Sequence, residues 1–174
     1  MKIVLIGYMA SGKTSIGKKL AKKINIPFID LDNYISTQEK MSISTIFKTK
    51  GEIYFRKIET QYLQELMQQT TDFILAVGGG TPCYANNIAV INQNATTFYL
   101  KYSLQTAYKK LSKEKNKKKR PLIATISNDN LKEFIAKHLF ERAPFYEQAK
   151  FTIRTDAKKK KEIVKEIINL NKQQ

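Results

Sequence analysis

The sequence of 174 residues contains a single cysteine, Cys83, and no long apolar run. One thiol excludes a disulfide framework within the chain and favours a reducing compartment. The apolar run at the amino terminus, residues 3–6, is too short for a signal peptide, and no segment approaches the length of a membrane span. Internal repeats and linkers are also absent. We therefore expect one cytoplasmic domain, because the chain is short for two.

Arginine is scarce in a strongly basic chain. There are 31 basic and 15 acidic residues, a formal net charge of +16, and most of the basic residues are lysines spread along every predicted helix. No recognition helix, zinc finger or stacking-aromatic signature accompanies them, so we expect no nucleic-acid partner. Guanidinium groups bind carboxylates and phosphates bidentately. The few arginines are therefore candidates for a binding site: Arg56, Arg120, Arg142 and, in a predicted strand where a structural role is expected, Arg154.

Residues 7–14 read GYMASGKT and directly follow the first apolar run. Gly7, Gly12, Lys13 and Thr14 fit the phosphate-loop spacing G-x-x-x-x-G-K-[ST]. Glycines let backbone N–H groups converge on a phosphate, the lysine adds charge near the β- and γ-phosphates, and the threonine offers a hydroxyl to Mg²⁺. A plain glycine turn between a strand and a helix is the alternative. The strand before it and the helix after it favour binding of a nucleoside triphosphate.

Short apolar segments alternate with helical segments along the whole chain. Strands that are apolar throughout and separated by helices indicate an α/β fold with a parallel sheet covered on both faces. Sites in such sheets lie beyond the carboxyl ends of the strands. The predicted strands are residues 2–7, 27–30, 73–77, 96–100 and 150–155, and the predicted helices are 13–24, 33–40, 43–50, 51–69, 84–92, 103–113, 129–142 and 158–170.

Two carboxylates, Asp30 and Asp32, end the second predicted strand. Residues i and i+2 of an extended segment face the same way, so both can point into one cleft. Beside a phosphate loop, one can hold Mg²⁺ through its water shell and the other can orient or deprotonate a substrate hydroxyl. An N-cap of the next helix by Asp32 is a compatible alternative.

The next motif places Glu52, Arg56 and Glu59 on one face of a predicted helix, at i, i+4 and i+7. An exposed row of ion pairs would contribute roughly a few tenths of a kcal/mol per pair. In the alternative, Glu59 holds Arg56 so that the guanidinium can grip a substrate carboxylate. The scarcity of arginine favours the second interpretation.

Three consecutive glycines, Gly78, Gly79 and Gly80, directly follow the third predicted strand. Three glycines in a row are costly in backbone entropy, which indicates close backbone approach to a ligand, with N–H groups as donors. A flexible turn is the alternative.

A basic, polar segment from Lys113 to Arg120 precedes Pro121. In a phosphoryl-transfer enzyme, such a loop can close over the nucleotide and bring one arginine to the transferred phosphate. A disordered charged loop is the alternative, and only Arg120 is expected to have a defined place.

The last arginine motif is Arg142-Ala-Pro144-Phe-Tyr. A helix does not readily continue through Pro144, so Arg142 is expected near a bend. His138 is interpreted as a residue of the helix surface and Cys83 as a small apolar residue, so neither is given a functional role.

Six motifs follow one another in order across nearly the whole chain: GYMASGKT, D-L-D at 30–32, G-E-x-x-F-R-x-x-E at 51–59, GGG at 78–80, R-P-L at 120–122 and R-A-P-F-Y at 142–146. On these motifs the sequence resembles shikimate kinase. The resemblance implies a P-loop, nucleoside-monophosphate-kinase-like three-layer fold with five parallel strands. It also implies one kinase domain over residues 1–174, a shikimate-binding helical region at about 33–62 and a lid at about 112–125.

The implied activity is transfer of the γ-phosphoryl group of ATP to the 3-hydroxyl of shikimate in aromatic amino-acid biosynthesis, by a monomer with no membrane partner. The resemblance also assigns roles. The catalytic residues would be Asp32, Lys13 and Arg120, and the Mg²⁺ residues Thr14 and Asp30. Shikimate would be bound by Asp32, Arg56, Gly78, Gly79, Gly80 and Arg142. ATP would be bound by Ala10, Ser11, Gly12, Lys13, Thr14, Ser15 and Arg120, with Thr155, Asp156 and Lys158 bordering the adenine.

The sequence departs from the family pattern at two positions in the nucleotide site. Ala10 stands where the family often has glycine, a substitution that the variable positions of the loop tolerate. Lys113 stands where some members have an arginine against adenine, which leaves that contact open.

Two other kinds of protein compete with this interpretation. A gluconate or nucleoside-monophosphate kinase could use the same fold, and a phosphate acceptor would also suit arginines. A P-loop switch or an RNA-binding module is the rival from another class. The guanine signature N-K-x-D does not occur, because Asn116-Lys117 is followed by two lysines, which argues against a GTPase.

Overall fold

The computed structural model describes residues 1–117 and 120–173. Within these ranges, no helix is both long enough and apolar enough to cross a membrane. The strands are β1 Lys2–Ile6, β2 Phe28–Asp30, β3 Phe73–Ala76, β4 Thr96–Lys101 and β5 Phe151–Arg154. The helices are α1 Lys13–Ile24, α2 Leu31–Gln38, α3 Ile43–Gln68, α4 Asn87–Asn94, α5 Leu104–Leu111, α6 Glu114–Lys117, α7 Pro121–Ala124, α8 Asn128–Tyr146 and α9 Lys160–Asn171, with a 3₁₀ turn at Thr81–Cys83.

The five strands form one parallel sheet in the order β2-β3-β1-β4-β5. The central strand β1 pairs with β3 and β4, and Val4, Leu5 and Ile6 are completely buried. A strand buried on both faces explains the unbroken apolar run. The predicted five-stranded parallel sheet is confirmed, and the carboxyl ends of its strands meet at one edge.

Alternate residues of the strands supply two separate cores. Val4 and Ile6 pack in a core with residues of α2, α3, α4, α5 and α8. Ile3 and Leu5 pack in the other core with α1 and α9. Helices therefore cover both faces of the sheet, which confirms the predicted three-layer arrangement.

One predicted helix boundary is wrong, and the correction bears on the site. Helix α2 begins at Leu31, so Asp32 lies in its first turn and is not an N-cap; Asp30 is the N-cap, without a side-chain capping bond. The predicted division between residues 50 and 51 is confirmed, because α3 is kinked at Gly51, whose φ of 80° is a left-handed conformation that favours glycine.

The expected bend near Arg142 is also wrong, because α8 continues through Pro144 to Tyr146. Pro144 lies in the last turn, where the missing N–H removes only the bond to the carbonyl of Phe140. Phe140 is 82% exposed, so this turn of the helix lies at the protein surface. Arg142 therefore projects from a continuous helix.

Candidate active site

A cleft of about 600 Å³ lies beyond the carboxyl ends of β1, β2 and β3. This is the edge at which parallel α/β sheets bind ligands. The residues that line it come from the loops after β1 and β3, the end of β2, the first turns of α1 and α2, and the region from α5 to the start of α7: Met9, Ala10, Gly12, Lys13, Thr14, Ser15, Asp30, Asp32, Val77, Gly78, Gly79, Lys110, Asn116 and Arg120.

The loop after β1 has the backbone of a phosphate-binding loop. Gly7 and Gly12 have φ values of 143° and 101°. A Cβ on Gly7 would lie 2.9 Å from the carbonyl oxygen of Leu100, so the loop has no room for a side chain there. Ala10 also has a positive φ, of 62°. The loop therefore holds this alanine in a left-handed conformation, which costs roughly 1–2 kcal/mol. The position is variable in the phosphate-loop pattern, but its backbone conformation favours glycine.

Lys13 lies inside the curve of this loop. Its Nζ donates to the carbonyl oxygens of Gly7 at 2.7 Å and Tyr8 at 3.0 Å. Burial lowers the pKa of Lys13 to about 8, against the opposing effect of Asp32 and Asp30. A desolvated ammonium group interacts strongly with a polyphosphate.

Both predicted carboxylates line the cleft, although they do not lie in one extended strand as predicted. Asp30 ends β2 and Asp32 lies in the first turn of α2, so a strand-to-helix turn brings them together. Thr14 Oγ1 donates to Asp30 Oδ2 at 2.8 Å. Burial, then the charges of Glu59 and Asp30, raise the pKa of Asp32 to about 6.

Arg56 is fixed by a buried carboxylate. Its Nη1 donates to Glu59 Oε2 at 2.7 Å, and the other Glu59 oxygen accepts from Thr81 Oγ1 at 2.6 Å. Glu59 is completely buried, whereas Glu52, 3.5 Å from Arg56 Nε, is mostly exposed. The interpretation as an exposed row of ion pairs is therefore wrong, and Glu59 holds the arginine as expected.

The glycines after β3 pack against charged side chains. None has the left-handed φ of Gly51, so backbone freedom does not explain them. A Cβ on Gly80 would lie 2.6 Å from Arg56 Nη2, whereas one on Gly79 would be in ordinary contact with Arg142 Nη1 at 3.4 Å. Gly79 lines the cleft, so both arginines lie beside it, although neither is among the residues that line it.

The basic residues in and before the predicted lid differ in whether they line the cleft. Arg120 lines it, and its Nη1 donates to the carbonyl oxygen of Asn116 at 2.6 Å. Lys113 is exposed, while Lys110, one helical turn earlier, lines the cleft. Sequence reasoning missed Lys110, although its separation of three residues from Lys113 was a usable signal. Lys118 and Lys119, within the predicted lid, lie outside the described residues.

The three residues expected to border adenine do not line the cleft. Thr155 Oγ1 donates to the carbonyl oxygen of Lys101 at 3.2 Å, and Lys158 Nζ forms an ion pair with Glu166 at 2.6 Å. Asp156 accepts hydrogen bonds from Ser103 and Thr106 at the start of α5. Since α5 carries Lys110, Asp156 holds one wall of the cleft in place.

Comparisons with known proteins agree over nearly the full length. The family model for shikimate kinase matches residues 9–172. The chain is 47% identical over 167 residues to a shikimate kinase of Flavobacterium psychrophilum, covering 95% of this chain and 96% of the relative. The crystal structure of a shikimate kinase from Bacteroides thetaiotaomicron has a TM-score of 0.89 and 32% identity, covering 99% and 98% of the two chains. A shikimate kinase from Acinetobacter baumannii in complex with shikimate has a TM-score of 0.85 and 31% identity, covering 97% and 91%.

Proposed function

The chain belongs to the shikimate kinase family, and from that premise we propose how its residues divide the reaction between them. It is an ATP-dependent kinase that transfers the γ-phosphoryl group of ATP to the 3-hydroxyl of shikimate, giving shikimate 3-phosphate and ADP in aromatic amino-acid biosynthesis. The observation that carries the assignment is the placement of Arg56 and Arg142 against Gly80 and Gly79, in the segment whose Gly78 and Gly79 line the same cleft as Lys13.

The donor half of the site is the phosphate loop with the wall formed by α5. Backbone N–H groups of residues 10–15 and the ammonium group of Lys13 bind the phosphates. The adenine is assigned to the segment of Thr155, Asp156 and Lys158 outside this cleft, where Asp156 accepts a hydrogen bond from Thr106 of α5. Lys110 supplies the charged side chain on that wall.

The acceptor half is the arginine pair with the glycine segment. Arg56 and Arg142 clamp the shikimate carboxylate, since guanidinium groups match carboxylates in a bidentate geometry. Gly78, Gly79 and Gly80 contact the substrate beside them. Asp32 binds its hydroxyls, between the clamp and the phosphates.

The chemical step needs positioning and charge neutralisation. The 3-hydroxyl oxygen attacks the γ-phosphorus in line, a new P–O bond forms, and the bond from the γ-phosphorus to the bridging oxygen breaks as ADP leaves. Asp32, ionised above about pH 6, accepts the proton of the attacking hydroxyl. Lys13 and Arg120 stabilise the charge on the phosphoryl oxygens.

The oxygen atoms beside the phosphate loop fit Mg²⁺. Thr14 Oγ1 and Asp30 Oδ2 lie 2.8 Å apart at the mouth of the cleft, and hydroxyl and carboxylate oxygens are the ligands that a hard cation prefers. In the described residues, no three His, Cys, Asp or Glu side chains form a metal group, which suits an ion held mainly by water and phosphates. When bound, Mg²⁺ neutralises charge on the β- and γ-phosphates.

We also propose the organisation of the enzyme at work. Residues 1–174 form one kinase domain, with a shikimate-binding region at about 33–62 and a lid at about 112–125. The enzyme acts as a cytoplasmic monomer without nucleic acid.

The experiment that tests this function is a coupled assay of ADP release. ADP release should depend on added shikimate, and Lys13→Met, which keeps the side-chain length but removes the charge, should abolish it. That variant excludes a contaminating kinase. Equal rates with gluconate or a nucleoside monophosphate would reject the assignment.

A further inference from the structure

We propose that Tyr8 is a positioning residue that couples the phosphate loop to Arg142. The inference rests on the proposed function, in which Arg142 grips the shikimate carboxylate. Tyr8 is the second residue of the loop, and its side chain points away from the phosphates into the core that also contains residues of α8.

The ring of Tyr8 supports the Arg142 guanidinium. Only 1% of Tyr8 is exposed, and the Cζ atom of Arg142 lies 5.9 Å from the centre of its ring. This is within the distance at which a guanidinium is attracted to the face of an aromatic ring. Gly79 lies on the other side, where a Cβ would be in van der Waals contact with Arg142 Nη1 at 3.4 Å.

His138 fixes the ring from its far end. A hydrogen bond of 3.0 Å joins the Tyr8 hydroxyl to His138 Nδ1, and the two rings meet edge to face at 86°. Phe134 packs against His138 at a ring distance of 5.1 Å. His138 is therefore half-buried and engaged, so the expectation of a plain surface residue is wrong.

His138 does not compete with Arg142 as a second cation. Burial, and then the charge of Arg142, lower the pKa of His138 to about 4, so the imidazole is neutral at pH 7. A neutral imidazole serves as a hydrogen-bond partner without repelling the guanidinium one turn along α8.

The backbone of Tyr8 belongs to the donor half of the site. Its carbonyl oxygen accepts from Lys13 Nζ at 3.0 Å and from the Ser11 N–H at 3.2 Å. One residue thus contacts the lysine that binds phosphate and the arginine that binds carboxylate. Substitution of the Tyr8 side chain removes the contact with Arg142 and keeps the carbonyl that binds Lys13, so the two contacts can be tested separately.

The test measures shikimate and ATP kinetics for four variants. Tyr8→Leu removes the ring, Tyr8→Phe keeps the ring and removes the hydroxyl, and His138→Leu removes the partner. We expect Tyr8→Leu to raise the shikimate KM about three- to tenfold, with the ATP KM and kcat within about twofold. Tyr8→Phe and His138→Leu should each give a smaller rise in the shikimate KM. The Tyr8→Phe/His138→Leu double variant should be no worse than either single one, because both remove the same bond.

A second substrate reports on the arginine directly. Shikimate methyl ester lacks the negative carboxylate, so Tyr8→Leu should lower the preference for shikimate over the ester, whereas general destabilisation would lower both rates equally. Tyr108→Phe is the control for Tyr8→Phe, because it removes a tyrosine hydroxyl from α5 outside the cleft. His138→Gln, which keeps a hydrogen-bonding side chain, should restore the shikimate KM.

Three results would overturn the proposal. These are an unchanged shikimate KM in Tyr8→Leu, equal rises in both KM values, or additive effects of Tyr8→Phe and His138→Leu. If Tyr8→Leu does not fold, the near-isosteric Tyr8→Phe series decides alone. Absence of shikimate-dependent turnover in the unmodified enzyme would instead refute the proposed function.

Discussion

Arg56 Nη2 lies 2.6 Å from the point where a Cβ on Gly80 would stand. A methyl group at Gly80 would therefore displace the guanidinium and disturb its 2.7 Å hydrogen bond to Glu59. The absence of a side chain at Gly80 therefore determines where the proposed carboxylate clamp stands.

Gly80→Ala should consequently impair substrate binding. We expect a rise of about tenfold or more in the shikimate KM, together with a lower Tm, because the displaced guanidinium is the partner of buried Glu59. Gly17→Ala is the matched contrast, because its Cβ would lie 2.3 Å from a ring carbon of Phe28. That variant should lose about 1–3 kcal/mol of stability and keep its KM values. Shikimate titrations distinguish the two variants, and an unchanged shikimate KM in a folded Gly80→Ala variant would contradict the steric account.

The pH dependence of catalysis should report Asp32. Because its pKa is raised to about 6, the carboxylate is protonated below that pH and cannot accept the hydroxyl proton. The value of kcat/KM for shikimate should therefore fall about tenfold per pH unit below 6. A profile that stays flat down to pH 4.5 would remove Asp32 from the proton transfer.

The raised pKa of Asp32 also affects the stability of the fold, which it lowers at neutral pH. A carboxyl whose folded pKa lies above its unfolded value binds protons more tightly when folded, so ionisation destabilises the fold as pH rises from about 4 to 6. Asp32→Asn should be inactive yet melt higher than the unmodified protein at pH 7. The difference in Tm should shrink towards pH 4, and equal melting at pH 7 would contradict the raised pKa.

Metal dependence should follow Thr14. Thr14→Val keeps the shape of the side chain and removes the hydroxyl that lies 2.8 Å from Asp30 Oδ2. We expect the Mg²⁺ concentration for half-maximal activity to rise about tenfold. Thr152→Val, at an exposed position of β5, is the control. A Mg²⁺ titration identical to that of the unmodified enzyme would exclude Thr14 as a ligand.

Two lysines near the lid should differ sharply in their effect on ATP. Lys110 lines the cleft, whereas Lys113 is exposed. Lys110→Ala should raise the ATP KM about five- to tenfold, with a strong dependence on salt, while Lys113→Ala should change it less than twofold. Equal effects of the two substitutions would mean that charge near the lid acts without regard to position.

Much of the fold was predictable because its signals are local. The apolar run of residues 3–6, the spacing of the phosphate loop and the alternation of strands with helices each depend on neighbours in sequence. The pairing of Tyr8 with His138 spans 130 residues, and no sequence pattern marks it. The order of the strands was likewise not readable from any single segment.

Other predictions were incomplete or wrong where the same residue type has more than one structural explanation. The glycines at 78–80 predicted close approach of the backbone to a ligand, and the structure adds that Arg56 occupies the space a side chain would take at Gly80. Pro144 predicted a bend, but in a last helical turn the lost hydrogen bond costs little. In each case the outcome depended on where another part of the chain lies, and the propensities of single residues do not contain that information.

The burial of Glu59 constrains any attempt to redesign the acceptor. It has no exposed surface and depends on Arg56 and Thr81 for its hydrogen bonds. Replacing Arg56 alone would leave a buried charge without its partner, at a cost of about 3–5 kcal/mol. An enzyme engineered for an uncharged alcohol would have to exchange Arg56 and Glu59 together and fill the space above Gly80. Acceptor specificity in this protein is therefore a property of a packed group of residues and not of Arg56 alone.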